Sequence, residues 1–272
     1  MVLKCGQTCR TLESRMGLYH AIQTMRQRGL SYTRMQKKVF EDEGIQLSRA
    51  SISYWLRGIH LPLGSLNPFS PEPSPELSYV IGSVLSDGNV NVHEYHREIL
   101  LSVTDKDFAS EFSRCLGKIL GRHEPYKVRW SEKRGRWIVQ GSSVLLHKFL
   151  NCNWFSLRKW IEHCGKCESA FLRAFYDGEG SICEGNLTIY NTNREILLYI
   201  QDLLGHAGIE TMQLQLNTKA GTKLTDPKNG RTYIRRKDCY AFRVRAQGLR
   251  RFAERIGFTI ARKQVRLLDA VG

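Results

Sequence analysis

The sequence is short of acid. Lysine and arginine number 41 against 26 aspartates and glutamates, a formal net charge of +15. That imbalance argues against a cationic partner and for a polyanionic one. Nucleic acid comes ahead of a membrane surface because no basic amphipathic helix stands out. The chain also lacks any apolar run of about 18 residues, so no segment is expected to span a membrane as a helix. Its opening stretch, MVLKCGQTCRTLESR, has no apolar core of the kind a secretory signal carries, and an intracellular, cytoplasmic setting is expected. The eight cysteines lack the tight double pairing of a structural zinc site. HCGKC at 163–167 has metal-like spacing, but with Cys5 and Cys9 as its loose partners it reads more readily as reduced, buried or idle thiols.

Proline is scarce except in one place. Five of the seven prolines fall between Pro62 and Pro75, in LPLGSLNPFSPEPSPE, which reads as an extended connector over 62–76. Ahead of it, residues 1–61 carry a compact helical pattern. Met16, Tyr19, Ile22 and Met25 recur at spacing three. Tyr32, Met35, Val39 and Phe40 follow after Gly29, and Ser48 is placed to cap a third short helix with Ile52, Trp55 and Leu56 inward. Three short helices with a tight turn before the last describe a helix-turn-helix module. Arg49, Ser51, Ser53 and Tyr54 then lie on the exposed side of the third helix, as residue types that read a DNA groove.

After the connector the chain repeats itself, as half-domains over 77–164 and 165–272. Each half runs helix, strand, strand, helix, strand, strand, helix. The expected fold class is α+β: two pseudo-symmetric αββαββα halves with mostly antiparallel four-stranded sheets, preceded by the all-α module. In the hairpins, Lys127 and Arg129 alternate with Tyr126, Val128 and Trp130, and Arg243 and Arg245 with Phe242 and Val244. One face of each sheet is therefore expected to pack while the other is basic, and two such sheets side by side form a DNA-binding saddle. Arg134, Arg136 and Gln140 join the candidate DNA contacts. So do Lys219, Lys223, Lys228, Arg231, Arg235 and Arg236, from a long basic loop within the second hairpin.

Two helices end in acid. VIGSVLSDG closes on Asp87 and LRAFYDGEG on Glu179, at equivalent places in the repeat. A helix C-terminus already carries negative partial charge, so carboxylates there are misplaced unless something offsets them. Gly82 and Ser86 lie four apart, as do Ala174 and Gly178. Each helix thus has a ridge of small residues that lets two backbones approach closely. Packed ridge to ridge, the helices set Asp87 beside Glu179, a pair of hard oxygen ligands suited to Mg²⁺.

This pattern resembles the LAGLIDADG homing endonucleases in their single-chain form, over roughly residues 76–272. LLSVTDKDF, LTIYNTNREILLYIQDLLGHAGI and IGFTIARKQVRL add to the likeness. The resemblance implies that Asp87 and Glu179 are the catalytic metal ligands, helped by the backbone carbonyls of Ser86 and Gly178. It implies Mg²⁺ as cofactor, with Mn²⁺ able to substitute, and double-stranded DNA as partner. A monomer would then make double-strand breaks at long, loosely read sites. Asp105, Asn191, Gln247 and Lys263 are candidates for supporting roles. The first motif departs from the pattern, with Ile81 in a small-residue position, Ser83 in an apolar one and Leu85 where an aspartate is common. In the family the earlier acid serves a structural, capping role. The alternatives are an intron RNA maturase and a catalytically inactive DNA-binding regulator of the same fold.

Overall fold

A computed structural model describes residues 12–59, 69–93, 96–225 and 230–272. Cys5, Cys9, Lys228 and residues 62–68 of the connector lie outside the described residues. The protein divides into two units, one centred on the first three helices and the other holding the elements from the fourth helix onward.

The first unit is built from α1 (Leu12–Gln27), α2 (Tyr32–Glu43) and α3 (Arg49–Leu56). Ser31 and Ser48 cap the second and third helices through their hydroxyls, and Gly44, at φ 65°, ends the second with its N–H on the Phe40 carbonyl. Leu18, Ile22, Met35, Val39, Ile45, Ile52 and Trp55 form its core. Phe40, expected to face inward, is instead 57% exposed, because Val39 takes the core position and its neighbour turns outward.

The second unit begins with α4 (Pro75–Ser86), where Ser74 is the N-cap and Pro75 occupies the first turn. It continues through β1 (Gly88–His93), β2 (His96–Val103), α5 (Lys106–Ile119), β3 (Arg129–Ser131), β4 (Arg136–Ser142), α6 (Val144–Leu150) and α7 (Arg158–Ile161). The second half comprises α8 (Gly165–Glu179), β5 (Gly180–Cys183), β6 (Asn186–Asn191), α9 (Arg194–His206), β7 (Gln215–Thr218), β8 (Lys223–Thr225), β9 (Thr232–Ile234), β10 (Cys239–Arg243), α10 (Ala246–Arg255) and α11 (Ala261–Val271). The strands make sheets of order β1-β2-β4-β3 and β5-β6-β10-β7, so the repeat extends to strand order. β2 and β4 pair antiparallel from Glu98 opposite Ser142 to Val103 opposite Trp137. β6 and β10 pair likewise from Asn191 opposite Tyr240 to Thr188 opposite Arg243.

Alternation sends Ile99, Leu101, Val103 and Val139 of the first sheet inward onto Phe108, Phe112 and Leu116 of α5. In the second sheet Ile182, Leu187, Ile189 and Phe242 do the same against Ile196, Ile200 and Leu204 of α9. Leu77, Val80 and Ile81 of α4 with Phe171, Leu172 and Phe175 of α8 join the two sets into one core.

Two elements differ from the sequence expectation. Part of the long basic loop is a two-stranded ribbon in which Leu224 of β8 faces Tyr233 of β9, since β-branched and aromatic residues on both arms favour pairing. The chain also closes on an additional helix, α11, after α10. Ile260 stands at its N-cap and supplies no side-chain bond, so the sequence holds no local start signal.

Candidate metal and nucleic-acid site

The small-residue ridges of α4 and α8 meet. A Cβ on Gly82 would lie 2.6 Å from the Phe171 carbonyl oxygen and 3.0 Å from the Ala174 Cβ. One on Gly178 would lie 2.6 Å from the Ser86 hydroxyl and 3.0 Å from Asp87 Oδ2. Glycine at these two points lets the helix ends touch, and that contact brings the two acids together.

Asp87 caps α4, its N–H on the Ser83 carbonyl at 3.1 Å. It is exposed, yet burial of its base raises its carboxyl pKa against the pull of Lys263 and Arg136. Glu179 is half-buried at the end of α8. Burial first, and then the charge of Asp87, push its pKa up to about 7, while a hydrogen bond from Asn191 Nδ2 to its Oε1 at 2.9 Å opposes the rise. A carboxyl whose ionisation is opposed by burial and by a neighbouring carboxylate could be relieved by either a proton or a cation.

Lys263 lies beside them. Its buried ammonium donates to the carbonyls of Tyr176, Asp177 and Gly180 at 3.2, 2.6 and 2.6 Å, on either side of Gly178. It thereby supplies from α11 the positive charge that the last turn of α8 lacks in its own sequence. Burial lowers its pKa to about 8, and Asp177, Asp105 and Asp87 work against that fall.

Asp177, the earlier acid of the second motif, points elsewhere. Its carboxylate accepts from Tyr79 Oη at 2.9 Å and from the N–H groups of Thr259 and Ile260 at 2.9 and 3.3 Å. Asp107 accepts from Ala261 N at 3.0 Å, so carboxylates from two other helices cap α11.

Of the supporting candidates, Asn191 and Lys263 thus stand at the acid pair. Asp105 is near enough to influence Asp87 but is held in a two-pronged pair with Arg262, at 2.7 and 2.8 Å, which keeps its pKa below the usual carboxylate range. Gln247 donates to Glu210 Oε2 at 2.6 Å, in a cluster with Arg245 that includes neither acid. Arg136, marked only as a DNA contact, is close enough to act on Asp87.

The sheet faces carry the remaining candidates. Lys127, Arg129, Arg134 and Arg136 are exposed. Arg129 reaches Gln140 at 2.7 Å and Gln140 reaches Glu98 at 2.5 Å, so one acid interrupts the basic face. Trp130, expected on the packed side, is 42% exposed against Trp137 at the sheet edge. In the second half Lys219, Lys223, Arg231, Arg236, Arg243 and Arg245 are exposed and Arg235 is half-buried. Arg243 borders a hollow with Thr188, Tyr190, Gln215 and Asn217. These neutral polar residues carry no charge signal in the sequence, but strand alternation and register set them beside Arg243. In the first unit Arg49 and Tyr54 are exposed, while Ser51 is half-buried and engages the Ser48 hydroxyl.

An acid pair at the touching ends of two helices, between two four-stranded antiparallel sheets of repeated topology, defines the LAGLIDADG architecture. Residues 166–257 match the LAGLIDADG-like domain family. It is 30% identical over 257 residues to the uncharacterized protein MJ0398 of Methanocaldococcus jannaschii, covering 92% of this chain and 91% of that one. Among solved structures it is similar to the homing endonuclease I-DmoI in complex with DNA and Ca, with a TM-score of 0.51 and 14% identity, covering 73% of this chain and 100% of that one. It is also similar to WhiA from Thermatoga maritima, with a TM-score of 0.47 and 16% identity over 75% of this chain and 61% of that one.

Proposed function

We propose that the protein is a divalent-metal-dependent, site-specific DNA endonuclease of the homing type. The observation that carries this reading is the acid pair: burial and Asp87 hold Glu179 at a pKa of about 7. A protein that only binds DNA gains nothing by setting two carboxylates against each other beside phosphates. Glycine at 178, where a Cβ would collide with Ser86 and Asp87, keeps a cradle that hard oxygen donors fit.

Asp87 and Glu179 would hold Mg²⁺ or Mn²⁺, together with the Ser86 and Gly178 carbonyls. When bound, such an ion supplies an activated water and neutralises charge on the scissile phosphate. The chain's own groups do the rest. Asn191 orients the Glu179 carboxylate, and Lys263 fixes the end of α8 that presents it. The exposed arginines and lysines of both sheets would bind phosphates, and Gln215 and Asn217, with Gln140 once released from Glu98, would read base edges. The helix-turn-helix unit adds a second DNA contact through Arg49 and Tyr54. I-DmoI, similar in fold, was solved with DNA and a divalent ion, which supports the same partner here.

The test uses wild type, Asp87→Asn and Glu179→Gln with plasmids carrying selected binding sites, with Mg²⁺ or with chelator. Linear product from wild type with Mg²⁺ alone, and retained binding by all three proteins, is expected. Equal binding with no cutting by any of them would leave a DNA-binding regulator. Binding confined to RNA would leave a maturase.

A further inference from the structure

The far end of α8 carries a pair of cysteines. Cys164 is the N-cap of the helix, in extended backbone, and it is exposed. Cys167, one turn on, is buried. Their sulfurs lie 3.5 Å apart, so modest side-chain rotation closes the gap to a bond of about 2.05 Å. His163 brings its donor atom within 4.8 Å of both sulfurs.

We propose that Cys164 and Cys167 form a thiol–disulfide exchange site, in which Cys164 attacks, Cys167 resolves, and the substrate is a small anionic disulfide. The Cys167 amide, then His163 and then the Cys167 thiol favour the Cys164 thiolate and lower its pKa to about 7. Burial pushes the Cys167 thiol up to about 11, so it keeps its proton until it is needed. An exposed sulfur that ionises near neutrality beside a buried one that does not is the division of labour this reaction requires. Beside Cys164 lies a hollow lined by Lys166, Arg173 and Arg255, a setting for the carboxylates of an acidic thiol.

The electrons balance as follows. The Cys164 thiolate attacks one sulfur of the substrate disulfide, whose S–S bond breaks and releases one thiolate. Cys167 then gives up its proton and attacks Cys164 Sγ, breaking the mixed disulfide and releasing the second thiolate. The protein loses two electrons to become the Cys164–Cys167 disulfide, and the substrate is reduced to two thiols.

The experiment uses the reduced full chain with oxidised glutathione as the probe, followed by peptide mass spectrometry and by alkylation rate against pH. Cys152 and Cys183, both exposed, are internal controls. Cys164 is expected to be alkylated with a midpoint near pH 7, and about tenfold faster than the controls at that pH. Wild type should end as the internal disulfide, Cys167→Ser should stop at a mixed disulfide on Cys164, and Cys164→Ser should form neither. Alkylation of Cys164 at the pace and midpoint of Cys152 would overturn the proposal, and wild-type protein alone decides that. So would a tightly held zinc ion that must be stripped before either sulfur reacts.

Discussion

Asp177 and Lys263 exchange helix ends. The Lys263 ammonium sits 2.6 Å from the Asp177 carbonyl at the C-terminus of α8, while the Asp177 carboxylate takes the N–H groups of Thr259 and Ile260 at the N-terminus of α11. Each residue supplies the charge that the other's helix end needs.

Removing the carboxylate should therefore cost more than one hydrogen bond. Asp177→Ala leaves Tyr79 Oη, two backbone N–H groups and the Lys263 ammonium with less than they had, in a place closed to water. A loss of about 3–5 kcal/mol is expected by urea denaturation. A loss under about 1 kcal/mol would mean that α11 is held by other contacts.

Lys263→Met tests the other half of the exchange. It strips a buried donor from three carbonyls and removes a charge that lowers the pKa values of both Asp87 and Glu179. Stability should fall by about 3 kcal/mol. The pH midpoint of Mg²⁺ binding, read by calorimetry, should also move upward, a shift that a merely structural lysine would not cause.

Glu179 should make the metal-free protein pH-sensitive. Its pKa rises from 4.5 to about 7 on folding, so the folded chain keeps a proton that the unfolded chain gives up between those values. The carboxyl therefore opposes folding fully above about pH 7, and that opposition fades as pH falls toward about 4.5. In chelator, Glu179→Gln should melt higher than wild type at roughly pH 8 and level with it at roughly pH 5. Mg²⁺ should raise the wild-type melting temperature at the higher pH and leave the variant where it was.

Gly82→Ala should weaken the α4–α8 contact. The added methyl meets the Phe171 carbonyl at 2.6 Å, and a backbone oxygen has no rotamer to turn to. A cost of about 1–3 kcal/mol is expected from thermal melting, whereas alanine at Gly17, with nothing within 4 Å, should be neutral or stabilising.

Much of this was legible in the sequence because the signals were local. Ser48 and Gly44 mark helix ends, strand alternation gives the packed side of the sheets except at Trp130, and the ridges at Gly82/Ser86 and Ala174/Gly178 set Asp87 against Glu179. What was missed depends on partners distant in the chain. The caps of α11 come from Asp177 and Asp107, so nothing beside Ile260 announces a helix. Lys263 is a candidate from the sequence, but its burial is not, because only the carbonyls of α8 give a charged and sparsely flanked residue a reason to be buried. The Arg262–Asp105 pair spans most of the second unit in sequence, beyond the reach of any periodicity.

A seam in which peptide meets peptide has no slack. Side chains between two helices can swap torsions and absorb a nudge, but the Phe171 carbonyl against Gly82 cannot, and at Gly178 only the Ser86 hydroxyl has a torsion to give. The spacing of the two acids is therefore machined into the main chain. A change that opens this seam is expected to loosen both acids together.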